Sequence, residues 1–357
     1  MNNREVMFFL HSLQGIGKKT VGNLMEYFGN VQALYHAPES ELTKILKPAQ
    51  CRLFLDGREK KNPKQELMEL EKKGIRYYSV FDKDYPKRLL KTADIPMGLF
   101  VKGSLPEEDV LTVSVVGTRK HSYYGEKQTK EFCKMIAGMG VPVISGMARG
   151  IDGIAQKTAI VNGSKTYAVL GCGVDICYPE EHIRLYEQIP QCGGIISEYF
   201  PGTQPAAGLF PLRNRIISAL SDSVVVVEAP NRSGALITAE CAMEQGKRVY
   251  GVPGNITSYY SFGTNKLIRE GALPLILFDD LFSDMGKVPR LAVECRETLG
   301  DDEKEIYTLL LERGESTVDE IVYYTGFFPH RVQGILTILE MKGVVFSSMG
   351  KFFVANY

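Results

Sequence analysis

The pattern of apolar and polar positions divides the chain into three regions, and the pattern of the first is helical. In residues 1–74, apolar side chains such as Leu10, Leu13 and Val21 recur at the spacing of an amphipathic helix. A charged, amphipathic stretch then runs to Gly74, a residue type that often follows the last turn of a helix. The pattern predicts a small helical domain over 1–74, of the helix-hairpin-helix or SAM-like kind.

The turn Gly15-Ile16-Gly17 is the part of this region that has the form of a helix-hairpin-helix. Its backbone amides could bind a phosphate, with Lys18 and Lys19 beside them. A single copy of such a turn also serves as a packing or docking unit, and we favour this second interpretation.

Short apolar runs rich in β-branched residues alternate with helical stretches in the middle of the chain. Several runs lack polar alternation, as expected for strands that are covered on both faces. The helical segments between them indicate right-handed βαβ units and a parallel sheet. We therefore predict an α/β domain over 75–289 with a Rossmann-like, doubly wound and mostly parallel sheet. Within this domain a short bridge precedes the sheet, and a linker follows the sheet at 281–297. The predicted strands are TVSVVG (112–117), PVISG (142–146), TYAVLG (166–171), GIISE (194–198), SVVVVEA (223–229), RVYGVPG (248–254) and PLILF (274–278).

The last region, 290–357, has a pattern of three helices and a hairpin. Apolar positions around Ile306, Ile321 and Ile335 indicate helices, and VVFSS and KFFVANY predict two paired strands. This order of elements predicts a winged helix. The region holds seven basic and eleven acidic residues, a net charge of −4, so we expect it to dock on protein rather than to read DNA.

Composition narrows the classes of function. The 42 basic and 42 acidic residues balance, which argues against a broad basic surface but not against a local one. No apolar run reaches the roughly 18 residues that a membrane helix needs, and the first residues lack the features of a secretory signal, so a cytoplasmic protein is expected. The seven cysteines have irregular spacing and form no C-x-x-C pair, which predicts reduced thiols rather than disulfides or a zinc site. We expect neither a metal nor a cofactor.

Glycine-containing turns follow the first three predicted strands, where the ligand site of a doubly wound sheet lies. The first holds Gly117, Thr118 and Arg119, the second spans SGMARGID at 145–152, and the third spans LGCGVDICYP at 170–179. Glycines let the backbone approach a ligand closely, and amides at the following helix starts can face a phosphate. None of these turns has the spacing G-x-G-x-x-G, so a NAD site is not expected.

The block FPLRNRIISAL at 210–220 combines an aromatic residue with two arginines. Phe210 could stack on a base, and the planar guanidinium groups of Arg213 and Arg215 could pair with phosphates. The alternative is that Phe210 belongs to the core and that the arginines make internal ion pairs. Residues two apart on a helix point in different directions, so we expect only one arginine to face the ligand.

A further loop-to-helix anion site is predicted at Ser233 and Gly234. The helix that follows is expected to hold Thr238 and Glu240 in its first turn. Thr238 is either a ligand contact or a hydroxyl bonded to its own helix. Glu240 is either a catalytic carboxylate or, more commonly, an exposed or ion-paired side chain.

Together these blocks resemble the DprA/Smf family, the DNA-processing proteins of bacterial transformation. The upstream strings YSVFDKDYPKRLL and IPMGLFVKG look like that family's entry into the core, and the helical first region and the winged helix fit the domain plan of many members. The core strings that match, in order across about 112–272, are SVVGTR, SGMARGID, LGCGVDICYP, SEYFPGTQP, FPLRNRII, SGALITAE, VPGNI and GTNKLIREGA.

The resemblance implies a core that binds single-stranded DNA without catalysis, forms homodimers and delivers the strand to the RecA recombinase. The phosphate contact of the family's G-[ST]-R turn carries over to 117–119, the aromatic base contact to Phe210, and the RNR block to 213–215. The residues assigned to DNA contact from the turns and from the resemblance are Gly117, Thr118, Arg119, Lys120, Ser145, Gly146, Arg149, Gly171, Gly173, Phe210, Arg213, Asn214, Arg215, Ser233, Gly234 and Thr238.

Two positions depart from the family pattern. Members often carry a lysine in the segment that here reads AAGL at 206–209, so the expected basic groove needs another cation, for which Arg184, Lys120 and Arg149 are candidates. The family's usual asparagine after Y-P-x-x is His182.

An enzyme is the alternative function. The core also looks like the phosphoribohydrolases once labelled lysine decarboxylases, whose G-G-x-G-T-x-x-E loop is partly matched by Ser233, Gly234, Thr238 and Glu240. A nucleotide would then occupy the same phosphate site, with Glu240 assisting glycosidic cleavage.

Overall fold

The fold is α/β, with a large and mostly parallel sheet flanked by helices. The computed structural model describes residues 1–276, 281, 299–342, 344–348 and 350–354. Apart from residue 281, the predicted linker at 281–297 therefore lies outside the described residues. The predicted domain limits at residues 74 and 289 stay predictions.

The chain forms two compact units, each assembled from several segments. The first comprises Met1–Glu108, Ser145–Ala148 and Tyr167–Leu220. The second comprises Asp109–Ile144, Arg149–Thr166 and Ser221–Tyr357.

Six helices open the first unit, in the region where the sequence pattern is helical. The Asn2 side chain caps the first helix by accepting from the Glu5 amide at 2.9 Å. Pro63 stands at the first position of the sixth, where its missing amide hydrogen leaves no bond unmade. The apolar faces meet around the buried side chains of Phe9 and Phe54. The helices are α1 (Asn3–Ser12), α2 (Lys18–Phe28), α3 (Val31–His36), α4 (Glu39–Leu42), α5 (Pro48–Lys60) and α6 (Pro63–Lys72).

Strands and helices then alternate as far as residue 274. The strands are β1 (Ile75–Ser79), β2 (Gly98–Gly103), β3 (Val113–Val116), β4 (Val143–Ser145), β5 (Thr166–Val169), β6 (Gly194–Ser197), β7 (Ser223–Val226), β8 (Arg248–Gly251) and β9 (Leu273–Pro274). The helices are α7 (Lys87–Leu90), α8 (Tyr123–Gly138), α9 (Ile151–Val161), α10 (Ile183–Cys192), α11 (Leu209–Ala219), α12 (Gly234–Glu244) and α13 (Phe262–Arg269). Six of the seven strands predicted from the apolar runs are present as β3 to β8. The seventh, predicted at 274–278, overlaps β9 only at Pro274, and its residues 277 and 278 lie outside the described residues.

The strands of the first unit follow the order β1-β2-β6-β5. β1 pairs with β2 and β2 pairs with β6, both antiparallel, whereas β5 and β6 run parallel. The sequence pattern missed β1 and β2 and treated them as a bridge. β1 alternates buried and more exposed positions around Arg76 and is only five residues long, so it lacks the continuous apolar run that marks the buried strands.

The strands of the second unit follow the order β4-β3-β7-β8-β9, and each neighbouring pair in this order is parallel. Every residue of β3 and β7 is buried, because helices cover both faces of such strands. Their side chains form a core with those of α8 and α9, centred on Val115, Phe132 and Val225. Because these strands are parallel, the turns after β3, β7 and β8 meet at one edge.

The C-terminal segment has a buried cluster of its own around Ile306, Ile321 and Leu336. Its three helices and two paired strands follow the predicted order, and a short third strand adds to them. The predicted helix stop at position 343 lies outside the described residues. The elements are α14 (Asp301–Arg313), β10 (Ser316–Thr317), α15 (Val318–Thr325), α16 (Pro329–Met341), β11 (Val345–Ser348) and β12 (Lys351–Val354), with the antiparallel strand order β10-β12-β11.

Among the described residues, none of the helices has the length and apolar character needed to cross a membrane.

Candidate nucleic-acid interface

The turn after β3 places two exposed cations on the second unit. The Thr118 amide donates to the Glu228 carbonyl oxygen at 2.7 Å, which ties the turn to the end of β7. The Thr118 hydroxyl is buried and donates to the Lys120 carbonyl oxygen at 3.0 Å. Arg119 and Lys120 are exposed, so their charges stand on a turn that is held by main-chain hydrogen bonds. Thr118 therefore shapes the turn, and the two cations are the groups that a ligand can reach.

The start of α9 lies against the same turn. The Ile151 amide donates to the Thr118 carbonyl oxygen at 3.3 Å. Gly150 has a φ of +74°, and a Cβ there would lie 2.3 Å from the Thr118 carbonyl oxygen, so only glycine fits. The neighbouring Arg149 side chain is exposed. The structure thus brings Arg149 and Arg119 onto two loops that are in direct contact.

Glu228 organises this turn, and the sequence analysis did not single it out for that role. Its side chain is buried and accepts from the Ser122 amide at 2.9 Å and from the Ser122 hydroxyl at 2.5 Å. Ser122 caps α8, and a Cβ at Gly125 would lie 2.2 Å from the Glu228 carboxylate. The signal in the sequence was an acidic residue directly after an apolar strand. A carboxylate that is buried at such a position needs hydrogen-bond donors.

The start of α12 differs in part from the prediction. Ser233 is the N-cap residue, Gly234 is the first helical residue and is exposed, and this end is open to a ligand. The prediction that Thr238 and Glu240 lie in the first turn is wrong: α12 begins at Gly234, which puts both in the second turn. Thr238 is buried and Glu240 is exposed. The main chain at Ser233 and Gly234 is therefore the accessible part of this site.

Arg213 is buried in the first unit. Its Nη1 atom donates to the Gly146 carbonyl oxygen at 3.0 Å and to the Val169 carbonyl oxygen, and its Nε atom donates to the Asn214 Oδ1 atom at 3.1 Å. A Cβ at Gly146 would lie 2.6 Å from the guanidinium. Ser145 and Asn214 are buried as well. Arg213 therefore holds the turn after β4 in place through hydrogen bonds, whereas the internal alternative for this residue was an ion pair.

Arg215 belongs to a charged network inside the same unit. It forms ion pairs with Glu198 and with Asp94, and Asp94 also pairs with Lys18 at the start of α2. Burial opposes the charge on Asp94, but the Lys18 ammonium and the Arg215 guanidinium outweigh it and hold the pKa of Asp94 below its usual range. Burial raises the pKa of Glu198 despite the neighbouring Arg215. Both Arg215 and Lys18 thus have carboxylate partners within the protein.

Phe210 is half-buried at the start of α11. Its ring stacks on that of Tyr178, with centroids 5.4 Å apart and planes inclined by 29°. A Cβ at Gly171 would lie 2.7 Å from the Phe210 ring, so glycine is needed for this close approach. Gly171 and Gly173 are themselves buried. Of these two glycines, Gly171 makes room for the aromatic pair.

His182 and Arg184 have different surroundings. His182 is buried, and its Nδ1 atom lies 3.1 Å from the Met147 carbonyl oxygen. Met147 adopts a φ of +53°, a conformation that costs energy for a residue with a side chain, so this hydrogen bond helps to hold the turn after β4. Arg184 is exposed, as a substitute for the missing lysine must be.

The thiols and acids of the described residues carry no metal site. Six cysteines are described, and all are free thiols. Within the described ranges, no group of three or more His, Cys, Asp or Glu side chains could hold a metal ion.

Comparison with known proteins identifies relatives in several bacteria. The family model for DNA recombination-mediator protein A matches residues 76–286, more than half of the chain. Protein Smf of Escherichia coli is 46% identical over 190 residues, 53% of this chain and 51% of that protein. The putative DNA processing protein DprA of Mycobacterium tuberculosis is 38% identical over 257 residues, 70% of this chain and 66% of that protein. The chain thus spans about half the length of the first relative and just under two thirds of the second.

Solved structures agree with this relationship. The X-ray structure of DNA processing protein A from Streptococcus pneumoniae superposes with a TM-score of 0.69 at 33% identity, covering 80% of this chain and 99% of that one. DNA processing protein A from Helicobacter pylori, whose structure was determined to study its single-stranded DNA binding mode, superposes with a TM-score of 0.52 at 29% identity, covering 57% of this chain and 93% of that one. The chain belongs to the DNA recombination-mediator protein A family.

Proposed function

We propose that the chain binds single-stranded DNA without catalysing a reaction on it and passes the strand to the RecA recombinase. The observation that carries the proposal is the turn at 117–120, where Arg119 and Lys120 are exposed while Thr118 and Glu228 hold the main chain. Such a preformed cationic turn binds a phosphate without first having to be ordered. The single-stranded DNA binding of the Helicobacter pylori relative supports the same function.

Two groups of residues contact DNA in this proposal, one in each unit. In the second unit, Arg119, Lys120 and Arg149 neutralise phosphates, and the main chain at 233–234 donates to another. In the first unit, the exposed face of Phe210 stacks on a base. Arg213 and Arg215 position the turns and helix around Phe210 instead of contacting DNA.

The family relationship and the charge of the C-terminal segment support proposals on location and partners. We assign the protein to the cytoplasm and propose that it acts as a homodimer. We also propose that the C-terminal segment is a winged helix that docks on protein, since its net charge of −4 repels a phosphate backbone.

Fluorescence anisotropy with labelled oligo-dT and with a duplex of equal length tests the proposal. We expect tighter binding of the single strand, because bases that stack on an aromatic ring must be unpaired. Equal or tighter binding of the duplex would contradict it.

Incubation with nucleoside monophosphates separates binding from the phosphoribohydrolase alternative. We expect no release of free base, since Glu240 is exposed on the second turn of α12 and away from its open end. Release that disappears in a Glu240→Gln variant would establish the enzyme instead.

A further inference from the structure

An exposed aromatic surface lies beside the cationic turn of the second unit. Tyr123, the first residue of α8, is 83% exposed, and Tyr259, in the loop after β8, is 71% exposed. Ile256 on the same loop and Phe262, the first residue of α13, are also exposed. Large exposed side chains of this kind usually mark a surface that another molecule covers. We call the side chains of Tyr123, Tyr259 and Phe262 the aromatic surface.

Hydrogen bonds connect the three segments that carry and flank this surface. The Tyr124 hydroxyl donates to the Pro253 carbonyl oxygen at 2.7 Å, which joins the start of α8 to the loop after β8. The Ala229 amide donates to the Tyr260 carbonyl oxygen at 2.8 Å, and the Gly263 amide donates to the Ala229 carbonyl oxygen at 2.7 Å. Residue 229 directly follows Glu228, which holds Ser122. The segments that carry the aromatic surface and the cationic turn are therefore joined in one framework of main-chain and side-chain hydrogen bonds.

The charges on the segments of this framework favour the binding of a polyanion. The segments 117–124, 229–234 and 253–263 contain Arg119, Lys120 and Arg232 and no acidic residue. Two carboxylates close to these segments along the chain are engaged, since Glu126 pairs with Lys130 at 2.6 Å and Glu228 accepts from Ser122. The amino end of α8, a helix of 16 residues, adds the positive end of its dipole.

We propose that the aromatic surface is a second base-stacking platform, on which Tyr123 and Tyr259 stack bases of single-stranded DNA whose phosphates contact Arg119 and Lys120. The inference rests on the proposed function and adds a stacking site on the second unit. Interleaved tyrosines and cations suit unpaired nucleotides, because each base offers an apolar face next to a charged phosphate. A second copy of the chain is a poorer occupant, since a two-fold contact through this surface would bring its cations against themselves.

Fluorescence of single indoles tests the platform directly, because the chain contains no tryptophan. The full-length variants Tyr123→Trp and Tyr259→Trp each carry one indole, and we expect oligo-dT to quench its emission as a base stacks on it. Tyr323→Trp is the matched control, since Tyr323 is 79% exposed on α15 of the acidic C-terminal segment. Its emission should not change.

Affinity measurements with alanine variants complete the test. Tyr123→Ala and Tyr259→Ala should each weaken oligo-dT binding on the order of tenfold and leave the salt dependence unchanged, because stacking releases no counterions. The corresponding Phe variants should bind like the wild type, and Tyr323→Ala is again the control. Circular dichroism before titration confirms that each variant is folded.

Three results would overturn the platform. The first is unchanged emission of the indoles at 123 and 259 while the wild type binds the same oligonucleotide. The second is wild-type affinity of both alanine variants. The third is a dimer that dissociates in Tyr123→Ala during sedimentation, which would assign the surface to a second copy. Absence of oligo-dT binding by the wild type would instead refute the proposed function itself.

Discussion

Arginines in this protein serve different roles according to their burial. Arg213 is buried and donates to main-chain carbonyl oxygens, Arg215 is paired with two carboxylates, and Arg119 is exposed on a turn that other residues hold. A guanidinium that satisfies internal acceptors stabilises the fold, whereas an exposed one can neutralise a phosphate. We therefore propose that the RNR block positions its neighbours and does not itself contact DNA.

Replacement of Arg213 by lysine tests the positioning role. Lysine cannot reproduce the planar fork, so buried carbonyl oxygens at Gly146 and Val169 lose donors, and we expect the free energy of unfolding to fall by about 3 kcal/mol. Urea denaturation measures the change, with Arg184→Lys, an exposed site, as control. Unchanged stability combined with a loss of DNA affinity would show instead that Arg213 contacts DNA directly.

Replacement of Glu228 by glutamine tests the support of the cationic turn. The amide cannot accept from both the Ser122 amide and its hydroxyl as the carboxylate does, so the turn loosens. We expect oligo-dT affinity to fall on the order of tenfold and stability to fall by about 1–2 kcal/mol. Glu131→Gln on the exposed face of α8 is the control for loss of one negative charge. Anisotropy and urea denaturation at matched salt give both values, and wild-type affinity would remove Glu228 from this role.

Strands that are covered on both faces could be predicted from the sequence, whereas the first strand of the sheet, which has partly exposed positions, could not. Every residue of the strands β3 and β7 is buried, and their sequences lack the polar alternation of a strand with one exposed face. β1 was missed because it alternates around Arg76, and its pairing partners on β2 are 19 to 27 residues away along the chain. The positions of the glycine turns after the strands could be predicted, but the different roles of Arg119 and Arg213 depend on which residues fold next to them.

Helix α1 joins the N-terminal helices to the sheet of the first unit through an aromatic cluster. Phe8 contacts the rings of Tyr77 and Phe200, with centroids 5.1 Å and 5.2 Å apart. His11, one turn later, lies against Phe200 with its Nδ1 atom 3.3 Å from the Tyr77 hydroxyl. An imidazole packed among aromatic rings is poorly solvated when charged, which links the stability of this unit to pH.

The pH dependence of unfolding tests the packing of α1. Burial lowers the pKa of His11 to about 4, although a hydrogen bond to the Glu198 backbone opposes the shift. Between about pH 6.5 and pH 4 the unfolded chain binds a proton that the folded chain does not, so stability falls as the pH falls. Because the ring is still partly exposed, we expect a loss of about 2 kcal/mol from this group.

The variant His11→Gln should flatten the fall of stability across this pH window, whereas His36→Gln, at an exposed site, should leave it unchanged. Thermal or urea unfolding at several pH values gives both profiles. An identical profile for His11→Gln and the wild type would contradict the burial of His11 in the folded state.

The neutral total charge of the whole molecule conceals an uneven distribution. Residues 1–110 carry a net charge of +3, residues 111–289 carry +1, and residues 290–357 carry −4. A nucleic-acid site on such a protein has to be local, built from a few cations, aromatic rings and main-chain amides. Modest affinity per copy follows, so dimerisation or assembly along the strand would strengthen binding.

Deletion of residues 290–357 tests the role of the acidic segment. Because this segment repels a phosphate backbone, we expect oligo-dT affinity to stay within about twofold of the full chain at physiological salt. A pull-down of RecA by the full chain should weaken after the deletion. A large loss of DNA affinity in the shortened protein would show that the C-terminal segment binds DNA.

The proposed function requires Arg119 to neutralise a phosphate of single-stranded DNA from a preformed turn. The most direct measurement is the affinity for oligo-dT of the wild type and of Arg119→Ala across a series of salt concentrations. The slope of log affinity against log salt should become shallower by about 0.7, the value for one neutralised phosphate on a single strand, and affinity should fall for all sequences alike. Identical affinities and slopes for the two proteins would contradict a phosphate contact by Arg119.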